Sequence, residues 1–120
     1  MVLSMVKELV YIEDFVQLVR LCVTSCCNSG IFNAGNDFPM AFEDQIKTMC
    51  DVLNPASKKS ELIYKPELPS SPQFILGIEK AKSVLGYRPV FGVRKTFEAF
   101  KKEAELNRFA KLWGTEEDYK

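Results

Sequence analysis

Apolar residues recur at helical spacing in two long stretches of the chain. Within each stretch they lie three, four, seven or more residues apart, which places them on one face of a helix. The first stretch begins at Phe15 and ends before Asn28-Ser29-Gly30, and the second follows Pro39 and ends at Asn54-Pro55. The members of these stripes are Phe15, Leu18, Val19, Cys22 and Cys26, then Phe42, Ile46, Met49, Cys50 and Leu53. The pattern therefore predicts two amphipathic helices.

Two shorter helices are predicted between residues 78 and 104. The first carries Ile78, Ala81 and Leu85 on one face. Gly86 follows where a left-handed residue ends a helix, and Pro89 prevents its continuation. The last stripe consists of Val93, Phe97, Phe100 and Ala104. A helix, a fixed turn and a second helix are expected here, with Tyr87 and Pro89 setting the angle between them.

Three short runs rich in β-branched and aromatic residues are typical of strands, at residues 9–12, 30–33 and 61–65. The second is expected to be buried. Residues 66–72 contain three prolines and two serines and are predicted to form a loop. The strands and helices do not alternate for long enough to build a doubly wound sheet. The predicted fold class is α/β, a small lobe of about four helices with short strands.

Composition narrows the possible partners. The chain of 120 residues has 47% apolar residues, enough for one modest core. Sixteen basic and sixteen acidic residues cancel, so nucleic acid is not expected as a partner. No run of 18 apolar residues is present, and Lys7 and Glu8 interrupt any signal-peptide core. A cytoplasmic location without membrane contact is expected.

The four cysteines do not form a metal-binding pattern. Cys22 and Cys26 are four residues apart and would face the same side of a helix, but the chain has no histidine and no Cys-x-x-Cys pair. Cys22, Cys26, Cys27 and Cys50 are therefore interpreted as buried free thiols, and no metal ligand is predicted.

Three segments in order resemble one enzyme family. They are Tyr11-Ile12-Glu13-Asp14-Phe15-Val16, then Gly30-Ile31-Phe32-Asn33-Ala34-Gly35, then Ile78, Lys80, Ala81, Leu85, Gly86, Tyr87 and Pro89 at their mutual spacing. Together they resemble the C-terminal, substrate-binding part of NAD-dependent nucleotide-sugar epimerases and dehydratases, the extended short-chain dehydrogenase family. Gly77 and Glu79 stand where that family usually has Asp and Ser.

The resemblance implies a lobe without its Rossmann half. In that family a Gly-x-x-Gly-x-x-Gly turn binds the cofactor, and a Tyr-x-x-x-Lys pair supplies the acid/base tyrosine. The glycines here, at positions 30, 35, 77, 86, 92 and 114, include no pair spaced in that way, and no tyrosine has a lysine four residues later. We predict no catalytic and no cofactor-binding residue in this chain, with NAD(P) implied only for the full-length family member. Residues 1–105 are assigned to the lobe and 106–120 to a tail in which Trp113 docks on the body.

The resemblance also implies a nucleotide-sugar as ligand. Family members often carry one arginine before the first motif and another in the loop before the third. Lys7 occupies the first position, and Lys65 is the cation nearest the second. A lysine keeps the charge but lacks the bidentate fork of arginine. Lys7, Lys65 and Asn33 are the candidate substrate-binding residues; the alternatives are two solvated lysines and an asparagine that bonds its own turn.

Two further expectations concern stability and partners. Ala41, Gly77 and Gly92 stand at the predicted helix starts, where capping side chains are usual. A lobe alone would expose the apolar face that meets the Rossmann half, so self-association is expected. Three interpretations remain open: a fragment of an epimerase (an isomerase) or dehydratase (a lyase), a stand-alone binding or interaction module derived from the lobe, and an unrelated helical adaptor.

Overall fold

The computed structural model describes residues 6–25, 29–65, 67, 74–108 and 112. These residues form four helices and one two-stranded antiparallel sheet, in which Val6 pairs with Ala41 and Lys7 with Met40. The elements in chain order are β1 (Val6–Lys7), α1 (Ile12–Thr24), β2 (Met40–Ala41), α2 (Phe42–Leu53), α3 (Glu79–Leu85) and α4 (Val93–Leu106). The predicted class, a small α/β lobe of about four helices with short strands, is confirmed.

The four apolar stripes correspond to the four helices. α1 begins three residues before its predicted stripe, with Glu13 and Asp14 in its first turn, where the helix dipole favours negative charge. α3 ends as expected at Gly86, whose φ of 73° is left-handed and whose N–H donates to the carbonyls of Ala81 and Lys82. None of these helices is long and apolar enough to cross a membrane, within the residues described.

The strand predictions were wrong. Residues 9–11 are irregular and Ile12 already belongs to α1, while residues 30–33 and 61–65 are not strands. Ile31 is 86% exposed and not buried. A strand requires a neighbour for its backbone hydrogen bonds, and in the described part of the chain the only ladder joins β1 to β2. β-branched composition alone did not indicate which segments find such a neighbour.

The main core lies between α1, α3 and the turn after α3. Its buried members are Leu18, Ile78, Ala81, Leu85 and Tyr87. Phe32 and Ala34, from the irregular segment after α1, pack against this cluster. α2 and α4 pack on each other in a second layer, where Val52 and Val93 are buried.

Two details correct the sequence interpretation. The N-cap residue of α3 is Ile78 and not Gly77. Ala41 and Gly92 are the N-cap residues of α2 and α4, as expected. None of these three N-cap residues forms a capping hydrogen bond with its side chain. Cys22 is exposed and Cys50 is half-buried, so the prediction of a buried thiol was wrong for Cys22. The predictions for Cys26, Cys27, the proline-rich loop (except Glu67) and Trp113 lie outside the described residues.

Candidate functional site

Three segments distant in sequence meet at the carboxylate of Glu8. One carboxylate oxygen accepts the backbone N–H of Asn36 at 2.8 Å, and the other accepts the N–H of Leu76 at 3.0 Å. Asn33 supports the same meeting point, because its side-chain amide donates to the carbonyl of Gly77 at 2.9 Å. We call Glu8, Asn33, Asn36, Leu76 and Gly77 the Glu8 junction. It joins the end of β1 to the segment before α2 and to the segment before α3.

The side chain of Asn36 holds the segment before α2 in place. It is buried; its amide donates to the carbonyl of Leu9, and its side-chain oxygen accepts the N–H of Phe38 at 2.8 Å. An asparagine oxygen that accepts an N–H two residues later forms an Asx-turn. The turn directs the chain into β2 and α2.

Gly35 is required at the junction because it approaches two neighbours closely. A Cβ at this position would overlap the carboxylate of Glu8 and would lie 2.9 Å from Cγ2 of Ile78. The carbonyl of Gly35 accepts the hydroxyl of Tyr87 at 2.8 Å. Burial, followed by the nearby carboxylates of Asp14, Asp37 and Glu8, raises the pKa of Tyr87 to about 12. This hydroxyl is a locked donor and not a proton carrier near neutral pH.

Asp14 ties the start of α1 to the turn between α3 and α4. It is 1% exposed, and its two oxygens accept the N–H groups of Val90 at 3.0 Å and Phe91 at 2.9 Å. One turn along α1, Gln17 exchanges two hydrogen bonds with the backbone of Arg88, at 2.8 and 2.9 Å. The buried carboxylate has both oxygens satisfied by backbone, which is a structural role.

Two lysines of α3 reach the segment before α2. The ammonium of Lys80 donates to the carbonyl of Ile31 at 3.0 Å and lies 4.9 Å from the ring centre of Phe32. Lys82 forms an ion pair with Asp37 at 2.5 Å. Such partly exposed pairs add little to stability, but they position the segment over α3.

Of the three predicted binding residues, Asn33 belongs to the Glu8 junction, Lys7 is next to it in the chain, and Lys65 lies elsewhere. Lys7 immediately precedes Glu8 and is half-buried, and its carbonyl accepts the side-chain amide of Gln45. Asn33 belongs to the junction and is exposed; its partner is Gly77, so the prediction that it bonds its own turn was wrong. Lys65 is exposed on a different segment, next to Tyr64, whose hydroxyl donates to Glu43 of α2 at 3.0 Å.

Sequence reasoning missed the distant partners of the residues that hold this site together. Glu8, Asn36, Gln17 and Tyr87 act on backbone groups between 27 and 71 residues away, and no periodicity marks such distant partners. No partner was predicted for Asp14 from the sequence. Its place in the first family-like motif was the one available signal that it has a specific partner.

Hydrogen bonds to backbone groups hold the Glu8 junction together. Among the described residues no group of three His, Cys, Asp or Glu side chains is placed to hold a metal ion. The one carboxylate of the junction, that of Glu8, accepts a backbone N–H with each of its two oxygens.

Comparison with known proteins shows the fold. No family model and no curated protein matches the chain. The crystal structure of the Bordetella bronchiseptica enzyme WbmF in complex with NADH is similar, with a TM-score of 0.65 and 14% sequence identity. The match covers 88% of this chain and 31% of WbmF. The chain therefore has the fold of about a third of an enzyme whose structure holds NADH.

Proposed function

We propose that this chain is the C-terminal, substrate-binding part of an NAD-dependent nucleotide-sugar epimerase or dehydratase. The observation that carries the proposal is the likeness to WbmF, in which 88% of this chain corresponds to 31% of an NADH-bound enzyme. The three family-like motifs supply independent support, because the structure uses residues from each of them. Asp14, Gly35 and Tyr87 come from the first, second and third motif and form the contacts that join the segments.

Alone, the chain is proposed to be inactive. Its sequence contains neither the glycine-rich turn nor the Tyr-x-x-x-Lys pair that the family uses. Tyr87 does not substitute for the missing tyrosine, because it is buried, donates to the carbonyl of Gly35 and has a pKa of about 12. NAD(P) would be bound by the Rossmann half of a longer parent protein, which is the first proposed partner.

The second proposed partner is a nucleotide-sugar, bound by Lys7, Asn33 and Lys65. The two lysines would neutralise the diphosphate as point charges, and the amide oxygen of Asn33 would accept a hydroxyl or base N–H. Asn33 and Gly77 are held together in the Glu8 junction, so a ligand would meet an ordered surface there. Epimerase and dehydratase chemistry are both compatible with this surface.

The size of the native protein tests the fragment proposal. An antibody raised against residues 106–120 is used on an immunoblot of the source cells. We expect a band near three times the mass of this 13.7 kDa chain, since the chain matches 31% of WbmF. A single band at 13.7 kDa would reject the fragment and favour the second candidate, a stand-alone module. That candidate is favoured by Lys7, which stands where family members often carry arginine, and by the lack of an arginine in the loop before the third motif.

Ligand binding is tested separately by NMR titration of the isotopically labelled chain with UDP-glucose and dTDP-glucose. Shift changes are expected at Lys7, Asn33 and Lys65, and Lys7→Ala should weaken them. Glucose, which lacks the nucleoside diphosphate, is the matched control and is expected to change nothing at these residues. Lys58→Ala, an exposed lysine in the turn after α2, is the control variant. Equal losses in both lysine variants would mean that binding is nonspecific charge attraction.

A further inference from the structure

α1 has two apolar faces. Leu18 and Leu21 face the core, whereas the opposite side carries apolar side chains that remain exposed. These are Ile12 (59% exposed), Phe15 (44%), Val16 (48%), Val19 (45%) and Val23 (79%), which we call the outer α1 face. The polar residues Glu13, Gln17, Arg20 and Thr24 occupy a narrow strip along one flank. A helix that is apolar on nearly all sides is normally buried on nearly all sides.

We propose that a second copy of this chain covers the outer α1 face, with the two α1 helices antiparallel across a two-fold axis beside Val16. The inference uses no residue of the Glu8 junction, and it concerns the chain without a Rossmann half, since such a half would compete with the second copy for exposed apolar surface. Closed two-fold pairs are the commonest assemblies of soluble chains.

Charge selects this geometry. Glu13 and Arg20 lie on the same flank of α1, seven residues or about two turns apart. Both are exposed, and within the described residues neither forms an ion pair. An antiparallel pair with its axis midway between them brings Glu13 of each copy to Arg20 of the other. A parallel pair would instead place the two charged flanks on opposite sides of the interface, where Glu13 and Arg20 form no such pairs. The chain as a whole has no net charge to keep two copies apart.

Shape supports the same axis. With the axis between residues 16 and 17, Val23 of one copy lies opposite residue 10 of the other. A cavity of about 370 Å³ opens next to that point, lined by Tyr11, Ile12, Phe100, Glu103 and Ala104 among others. Val23 is the most exposed member of the face, and Phe100 in the cavity is 51% exposed. The two-fold axis thus sets the protruding end of one face beside the apolar cavity of the other.

The exposed area is adequate for a dimer. The five side chains of the outer α1 face expose on the order of 500 Å² of apolar surface, comparable with the largest patch on a typical monomer. The cavity rim and the charged flank extend it towards the roughly 800 Å² per partner of a standard interface.

Sedimentation equilibrium of the intact chain from about 1 to 100 μM tests the pairing, since standard-size interfaces are populated in this range. The wild type is expected to be a dimer. Val16→Glu places two carboxylates at the axis and should raise the dissociation constant about 100-fold. Ile31→Glu is the matched control: Ile31 is 86% exposed but lies outside the face, so its dimer should dissociate like the wild type.

Charge reversal tests the orientation. Glu13→Arg and Arg20→Glu should each weaken the dimer about tenfold, and the double variant should recover wild-type affinity. Circular dichroism checks that each variant is folded. A monomeric wild type throughout the range, or a double variant no tighter than the single ones, overturns the proposal. The proposal is also overturned if the chain is a monomer and its outer α1 face becomes covered only when a separate cofactor-binding half is added.

Cross-linking locates the axis. In a chain whose native cysteines are replaced by serine, Val16→Cys should form a disulfide between copies on mild oxidation. Restoring only Cys22 should not, because the axis separates the two Cys22 residues by about 16 Å along the helices. Efficient cross-linking through Cys22 and none through position 16 would overturn the antiparallel arrangement.

Discussion

At the scale of single residues, Asp14 shows how a buried charge organises this lobe. Its oxygens accept the N–H groups of Val90 and Phe91. Hydrogen bonds to a charged acceptor are stronger than neutral ones, and each donor would be left unpaired without it. The residue therefore joins α1 to the start of α4 by satisfying backbone groups that no helix or strand satisfies.

Asp14→Asn is expected to lower the free energy of unfolding by about 2–3 kcal/mol. An asparagine has one accepting oxygen, and its NH₂ group would face the second backbone donor. Urea denaturation measures the change. The matched control is Glu13→Gln, which removes a charge from the same helical turn at an exposed position and should cost under about 1 kcal/mol. Equal losses would mean that only the helix dipole is involved.

The raised pKa of Tyr87 predicts that the folded chain loses stability at alkaline pH. Its pKa is about 12 in the folded chain and about 10 in an unfolded one, because burial disfavours the phenolate. The stabilisation from keeping it neutral is complete below pH 10 and is lost as the pH rises towards 12, by about 2–3 kcal/mol. Urea unfolding at several pH values measures this.

Two variants isolate the contribution of Tyr87. Tyr87→Phe should be less stable at pH 7, since the carbonyl of Gly35 loses its donor, but should show a flatter decline between pH 10 and 12. Tyr64→Phe removes an exposed phenol and should retain nearly all of the wild-type decline. An unchanged decline in Tyr87→Phe would assign the alkaline limit to other groups.

At the scale of the elements, the helices were predictable and the strands were not. The spacing of Ile78, Ala81 and Leu85 is a local property that survives in α3, and Gly86 ends that helix through its own conformation. Strand formation depends on which segment lies alongside. Residues 30–33 have the composition of a strand, but they form no backbone ladder with a neighbouring segment. The Glu8 junction was not predicted from the sequence for the same reason, because its hydrogen bonds join residues up to 68 positions apart.

The end of α3 provides a test of local strain alone. Gly86 has φ 73°, and a Cβ added there would meet nothing within 4 Å. Gly86→Ala should therefore cost about 1–2 kcal/mol in unfolding free energy purely from the left-handed conformation. Gly86→Asn should cost less, because asparagine tolerates that region. A loss from Asn equal to that from Ala would contradict this explanation.

At the scale of the whole molecule, residues 8–35 are tied to residues 76–91. Glu8 bonds Leu76, Asn33 bonds Gly77, Gln17 bonds Arg88, Asp14 bonds Val90 and Phe91, and Tyr87 bonds Gly35. The main core likewise combines Leu18 of α1 with side chains from the α3 region. These two parts are expected to unfold together as one cooperative unit.

Limited proteolysis tests whether these two parts of the chain form one cooperative unit. Lys58 and Lys59 lie in an exposed turn after α2 and are accessible to trypsin. After cleavage there, the two fragments are expected to co-elute on a sizing column under native conditions and to separate in urea. Replacing both lysines by glutamine should protect the turn. Separation of the fragments without denaturant would show that the contacts across the chain are weaker than their number indicates.

The Asp14 link also has a consequence for synthesis on the ribosome. The chain emerges from its N-terminus, so Asp14 leaves the exit tunnel 76 residues ahead of Val90, the first of its two donors. During that interval Leu18 lacks the α3 side chains that bury it, and the outer side of α1 is apolar as well. A nascent chain that stops before residue 78 therefore presents an α1 helix with apolar side chains exposed on every side but one. Such a stalled chain is a natural client for a chaperone that holds hydrophobic segments until translation is finished.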